Sequence, residues 1–157
     1  FVQDGVQSHQ GIELNVNGEV GDDLSIVASF TAMHAEISQL AGEASLNGNR
    51  PANVPKIQAN VFFDYRVPIV AGLNANLGVF YVGEREQNVQ NTLSIPSYTR
   101  VDVGLRYKLS ALNTTLRLKV ENLFAEEYWL SAGAKGIDWG VTPGRGRTAG
   151  LSASIAF

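Results

Sequence analysis

Apolar and polar residues alternate with a period of two along most of the chain, a pattern that allows little besides a sheet with two unlike faces. At the C-terminus Ala149, Leu151, Ala153, Ile155 and Phe157 alternate with Thr148, Gly150, Ser152, Ser154 and Ala156. Leu116, Leu118 and Val120 oppose Arg117, Lys119 and Glu121, and this strand is expected to run on through Asn122-Leu123-Phe124. From Tyr98 to Leu109 the odd positions Val101, Val103, Leu105 and Tyr107 oppose Arg100, Asp102, Gly104, Arg106 and Lys108. The same test marks strands over 73–82, 57–67, 24–32 and 12–17, the last within a stretch near Gln7–Gly18. The reading is all-β: an antiparallel meander of about seven strands without a convincing helix.

The connections alternate in length. Gly21-Asp22-Asp23, Pro68–Gly72 and Ala111–Asn113 are short, whereas Gln39–Pro55, Glu86–Ser97 and Ser131–Gly144 are long and rich in Gly, Asn, Ser and Pro. Short and long connections therefore lie at opposite ends of the meander, the asymmetry of outer-membrane barrels.

A soluble β-sandwich alternates too, so the question is which solvent covers the apolar face. Strands readable for 10 to 13 residues match the roughly 9–11 that cross a bilayer at a tilt, against about 5–6 in globular sheets. The polar face carries Asp64, Arg66, Arg100, Asp102, Arg106, Lys108, Arg117, Lys119 and Glu121, a dense set for a small sandwich but suited to a water-filled lumen. Tyr65, Tyr107 and Phe157 fall near the short-turn end of the apolar face, with Tyr81 and Tyr98 near the long-loop end, as in the aromatic girdles of membrane barrels. These favour lipid. A mean hydropathy of −0.02 is then the average of a lipid face and a lumen face.

Composition removes other classes. The 157 residues include no Cys, which excludes disulfide scaffolds and thiolate zinc sites. A formal charge of −3 and a pI near 5.3 argue against a nucleic-acid partner. No apolar run approaches the roughly 18 residues of a membrane-spanning helix. The chain opens on Phe1-Val2-Gln3-Asp4 without a leader pattern and is expected to be an internal piece ending at a natural C-terminus. Single-chain bacterial barrels have even strand numbers. Seven is odd, so the strand near Gln7–Gly18 is expected to pair outside this chain, Phe1–Val6 being too short for an eighth strand. Two alternatives stay open: a small autonomous outer-membrane barrel acting as anchor or adhesin, and a soluble sandwich module binding carbohydrate through loop aromatics.

Several segments resemble, in order and spacing, the C-terminal part of TonB-dependent outer-membrane receptors of the ferric-siderophore branch, those similar to the ferrichrome receptor. They are Gly11-Ile12-Glu13-Leu14, Gly48 to Pro55, Tyr98-Thr99-Arg100-Val101-Asp102, Val120 to Phe124 with Tyr128, and Pro143 to Arg147 before Phe157. The resemblance implies that residues 1–157 are the last seven or so strands of a 22-stranded barrel, with the plug domain, the TonB-contacting segment and the signal peptide outside this chain. It implies uptake of a ferric siderophore as transported ligand in the outer membrane of a Gram-negative bacterium, driven through TonB. No cofactor is implied. The terminal Phe157 resembles the signal read by the barrel assembly machinery, a further partner beside outer-membrane lipid.

Tyr128, Trp129 and Trp139 flank or occupy the last long loop, where a siderophore pocket is expected; rings with polar handles offer broad contact at small entropic cost. The same residues suit an interfacial aromatic belt. Arg100, Asp102, Arg106, Lys108, Arg117, Lys119 and Glu121 are expected to face the lumen, holding a plug or pairing across strands. His9 and His34 fall on different strands without a ligand cluster, and no metal site is expected. Asn113-Thr114-Thr115 fits a glycosylation acceptor but lies in a short turn. No Ser/His/Asp set or carboxylate pair supports catalysis, and the chain is not expected to be an enzyme.

Overall fold

The structure, a computed structural model, describes residues 5–134 and 137–157, apart from the side chains of 133–139. The strands are β1 (Val6–Val20), β2 (Leu24–Ser38), β3 (Ile57–Arg66), β4 (Leu73–Val82), β5 (Arg85–Glu86), β6 (Ser94–Ile95), β7 (Tyr98–Leu109), β8 (Thr114–Glu121), β9 (Trp129–Ala134), β10 (Ile137–Pro143) and β11 (Thr148–Ile155). Among the described residues, helix is confined to single 3-10 turns at Ala44–Leu46 and Ser110–Leu112.

Seven strands form one sheet in the order β1-β2-β3-β4-β7-β8-β11, each antiparallel to its neighbour. The expected meander is this sheet. Its register runs without a slip from Val16 through Ala28, Val61 and Val79 to Val101, a row entirely on the apolar face. One residue along, Asn15, Ser29, Asn60, Phe80 and Arg100 form a row on the other face. A one-residue slip would exchange the two faces, so the apolar pattern itself fixes the pairing.

Among the described residues the apolar face has no protein cover. Leu14, Leu77, Leu105, Leu118, Leu151 and Ile155 are all exposed. Among the described residues the buried apolar side chains are Ala35, Ile37, Leu46, Ile95 and Ala132, all toward the long loops. A sandwich would pack a second sheet on this face; the described residues contain only the two-stranded pairs β5–β6 and β9–β10 besides the main sheet. The sandwich reading is therefore overturned. The sheet also does not close on itself, ending on β1 and β11, which overturns an autonomous barrel built from these strands.

The band that needs an apolar solvent has a measurable height. On the outward face of the β1–β2 hairpin, Ile12, Leu14, Val16 and Val20 lie beside Ala32, Phe30, Ala28 and Leu24, so Ile12–Val20 and Leu24–Ala32 contribute nine residues each. At about 3.4 Å per residue and a tilt of about 40°, nine residues span roughly 23 Å, close to the ~25 Å apolar belt of membrane barrels. Beyond Ile12 and Ala32 the outward positions become Ser8, Gln10, His34, Glu36 and Ser38, while Ala35 and Ile37 turn inward and are buried. The hairpin thus changes its hydrophobic sense at one level and continues into water.

Three expectations need correction. Strand β8 stops at Glu121 instead of running to Phe124, because Asn122 and Ala125 adopt positive φ of 54° and 56°. Tyr98 lies in register with Val82 on the charged face, not in an outer girdle. Within the long connections, β5–β6 and β9–β10 form hairpins that alternation did not reveal.

Candidate functional site

Arg100, Asp102, Arg106, Lys108, Arg117, Lys119 and Glu121 lie on one face of the sheet, and most are paired. Arg100 Nη2 donates to Asp102 Oδ2 at 3.2 Å, and its guanidinium lies over the Phe80 ring at 4.7 Å. Arg100 Nε stands 3.1 Å from Asp102 Oδ1 without hydrogen-bond alignment. Arg106 Nη2 reaches Asp64 Oδ2 across the intervening β4 at 3.2 Å, and Asn74 Nδ2 donates to the other Asp64 oxygen at 2.6 Å. Lys119 Nζ donates to Glu121 Oε1 at 2.6 Å, and the second Glu121 oxygen accepts from Thr148. Arg117 donates to Ser154 at 3.4 Å, and Lys108 faces the same side opposite Thr115. In this lattice Arg100–Asp102 and Lys119–Glu121 each pair along one strand, whereas Arg106–Asp64, Arg117–Ser154 and Thr148–Glu121 bridge strands, each bridging pair contributing roughly 0.2–1 kcal/mol.

At the long-loop end the lattice meets a tight turn. Asn122 is 1% exposed and its left-handed backbone reverses the chain after β8. Its amide donates to the carbonyls of Glu126 and Arg145 and accepts from the Glu126 N–H at 2.8 Å, while its own N–H donates to Asp102 Oδ1 at 2.9 Å. Every polar group of this buried side chain is engaged, as burial requires. The turn delivers Tyr128, whose ring stacks on Tyr98 with centroids 4.1 Å apart. Gly144 passes directly against the Tyr128 ring, so that a Cβ there would overlap it, and Gly144 N–H donates to the Tyr128 carbonyl at 2.7 Å.

The stacked tyrosines separate two hollows. One, of about 540 Å³, lies between Ala125–Trp129 and Pro143–Gly146 and includes Tyr128 and Trp129. The other, of about 270 Å³, lies on the charged face around Thr31, Asn60, Phe80, Tyr98 and Arg100. The larger falls in the size range of small-molecule sites. It brings the rings of Tyr128 and Trp129 beside Glu126 and Glu127, while Arg100 lines the smaller hollow beside Tyr98, groups suited to holding a bulky polar ligand by stacking and hydrogen bonds.

Tyr128 and Trp129 therefore share one hollow, Trp129 being 42% exposed. Trp139 lies on β10, and its side chain is outside the described residues. His9 and His34 occupy opposite faces of the β1–β2 hairpin, His9 beside Met33 and His34 beside Glu36 at 3.5 Å. Phe157 follows β11 and is fully exposed near the short-turn end, where the Ala156 N–H donates to Asn113. Sequence reasoning missed Arg85, which is 3% exposed in the second long loop, a connection that in the structure spans 83–97, with a guanidinium pKa lowered by burial. Flanked by Glu84 and Glu86, it reads as part of a solvated charge run.

An uncovered apolar belt, a charged opposite face, short turns at one end and a built mouth at the other define a sector of a transmembrane β-barrel. The chain matches the family described as TonB dependent receptor-like, beta-barrel, over residues 1–123. It belongs to that family. It is 35% identical over 98% of its length to the ferrichrome receptor FcuA of Yersinia enterocolitica, and 31% identical over 89% to the ferrichrome outer membrane transporter/phage receptor of Escherichia coli K12. The crystal structure of the siderophore receptor PiuA from Acinetobacter baumannii superposes on 95% of the chain with a TM-score of 0.83 at 30% identity. The chain spans 20% of FcuA, 19% of the E. coli receptor and 22% of the PiuA chain.

Proposed function

We propose that the chain is the C-terminal barrel sector of a TonB-dependent siderophore receptor, placed in the outer membrane of a Gram-negative bacterium, and that the intact protein imports a ferric siderophore without altering its bonds. The observation that carries this is the mouth formed by Tyr98, Tyr128 and Trp129 above the lattice of Arg100 and Asp102. Relatives named as ferrichrome and ferrioxamine receptors support the ligand class. Tyr128 and Trp129, with Trp139 on the same connection, are the proposed ligand contacts; the plug, upstream of this sector, sits against the charged face. TonB acts on that upstream part, and the barrel assembly machinery reads the β11 segment through Phe157. The role is that of a receptor and transporter, not an enzyme.

The test is uptake of radioiron-labelled ferrichrome by cells that lack their own ferrichrome receptor and express the full-length protein. Uptake that disappears when TonB is deleted is expected. Absence of uptake across a panel of ferric siderophores, or uptake indifferent to TonB, overturns the proposal.

A further inference from the structure

The three long loops meet at one buried arginine. Asn53, in the first loop, holds a backbone φ of 66° and donates its N–H to the Glu86 carbonyl of the second loop at 2.9 Å. Its side-chain amide engages both backbone groups of Ala132 in the third loop, accepting from the N–H at 2.9 Å and donating to the carbonyl. That is the pairing a neighbouring strand would supply, delivered by a side chain. Arg85, in the second loop, donates Nε to Asn53 Oδ1 at 3.3 Å and Nη2 to the carbonyls of Trp129 and Leu130 at 2.7 and 3.0 Å. A second clasp joins the first two loops: the Arg50 N–H donates to Asn91 Oδ1 at 2.7 Å, Asn91 Nδ2 returns to the Arg50 carbonyl at 2.8 Å, and Asn49 reaches the Val89 carbonyl.

A buried guanidinium whose Nη1 has no partner among the described residues is costly merely as packing material. Both bonds from its Nη2 end on the two carbonyls immediately after Tyr128, the residue that lines the larger hollow and stacks on Tyr98. We propose that Arg85 and Asn53 are positioning residues: they lock the three loops into one body and thereby set where Tyr128 and Trp129 stand at the mouth. Loops anchored separately could close one at a time, whereas these move together or break the clasp. The locking stands on geometry alone; its effect on a ligand rests on the function proposed above.

The experiment uses the full-length receptor in detergent micelles, wild type and R85Q, R85K and N53D, with amide hydrogen exchange followed by mass spectrometry. In R85Q and N53D, exchange in the segments around Asn53, Arg85 and Ala132 is expected to rise together by about tenfold, the effect of losing one net hydrogen bond, with β7 unchanged. R85K, which keeps a cation able to reach a carbonyl, restores part of the protection. A change confined to the mutated loop, or one spreading equally into β7 and β8, overturns the proposal. With ferrichrome as probe and tryptophan quenching as readout, R85Q is expected to weaken binding about tenfold and R85K to recover it partly; unchanged affinity overturns the positioning of the aromatic pair. If the wild-type receptor binds and imports no ferric siderophore, the proposed function falls and the exchange result alone decides the clasp.

Discussion

Asn122 donates its backbone N–H to Asp102 Oδ1 at 2.9 Å, joining the end of β8 to the neighbouring β7 in a buried contact. The same carboxylate faces Arg100, so one acid orders both a strand end and a lattice arginine. In the full-length receptor, D102N keeps the shape but gives up the charge-assisted bonds, and is expected to cost about 1–3 kcal/mol in urea unfolding.

Asn122 also separates two effects. N122G keeps the left-handed backbone and loses the side-chain clasp; N122A loses the clasp and adds the steric cost of a Cβ at φ 54°. N122A is therefore expected to be less stable than N122G by about 1 kcal/mol, measured by the same unfolding. Equal stabilities would show that the turn is not held in this conformation.

Adjacent positions on β3 test the two faces. Val61 lies in the outward row and Asn60 in the inward one. In refolding into lipid vesicles, V61R is expected to destabilise the receptor by about 2–4 kcal/mol and N60R by much less, because only the first arginine enters hydrocarbon. A similar loss for both refutes the assignment of faces.

The level at which the β1–β2 hairpin leaves the bilayer can be mapped chemically, since this sequence contains no cysteine. H34C and E36C are expected to react quickly with a membrane-impermeant thiol reagent on intact cells, and A32C and A28C slowly. Fast labelling at Ala32 would move the boundary toward the short turns.

Gly144 controls the tyrosine stack through space. G144A puts a Cβ into the Tyr128 ring and is expected to displace it from its stack on Tyr98; loss of the pair is expected to cost about 0.5–1.5 kcal/mol and to change the near-ultraviolet circular dichroism. Ferrichrome affinity is expected to fall with it. An unaltered spectrum would mean that the loop shifts instead of the ring.

Strands β4 and β7 coincide with their alternation limits, because one face is mainly apolar and the other mainly polar along their length. That physical contrast ends at the mouth, and so does the legibility. Ala35 and Ile37 turn inward where Ile26 and Ala28 turned outward, so one rule carried along β2 would place them wrongly. The two-residue strands β5 and β6 are too short to show a period. Tyr98 falls one position off the apolar row, and parity alone separates it from the girdle tyrosines. The Gly48 to Pro55 and Val120 to Phe124 segments carried the family resemblance, but their roles as clasps through Asn53 and Asn122 depend on partners 79 and 20 residues away. Such pairings leave no local periodic trace.

The nine-residue apolar band has a bearing on sorting between membranes. A belt of roughly 23 Å falls several ångströms short of an average bilayer core of about 30 Å, and every ångström of mismatch costs a fraction of a kcal/mol in thinned lipid or submerged polar groups. In an average-thickness bilayer the ring of Gln10, His34 and Glu36 would be drawn toward hydrocarbon. A thinner bilayer, as the bacterial outer membrane is, leaves that ring in water. The height at which β1 and β2 change their outward chemistry thus matches a thin apolar layer better than a thick one.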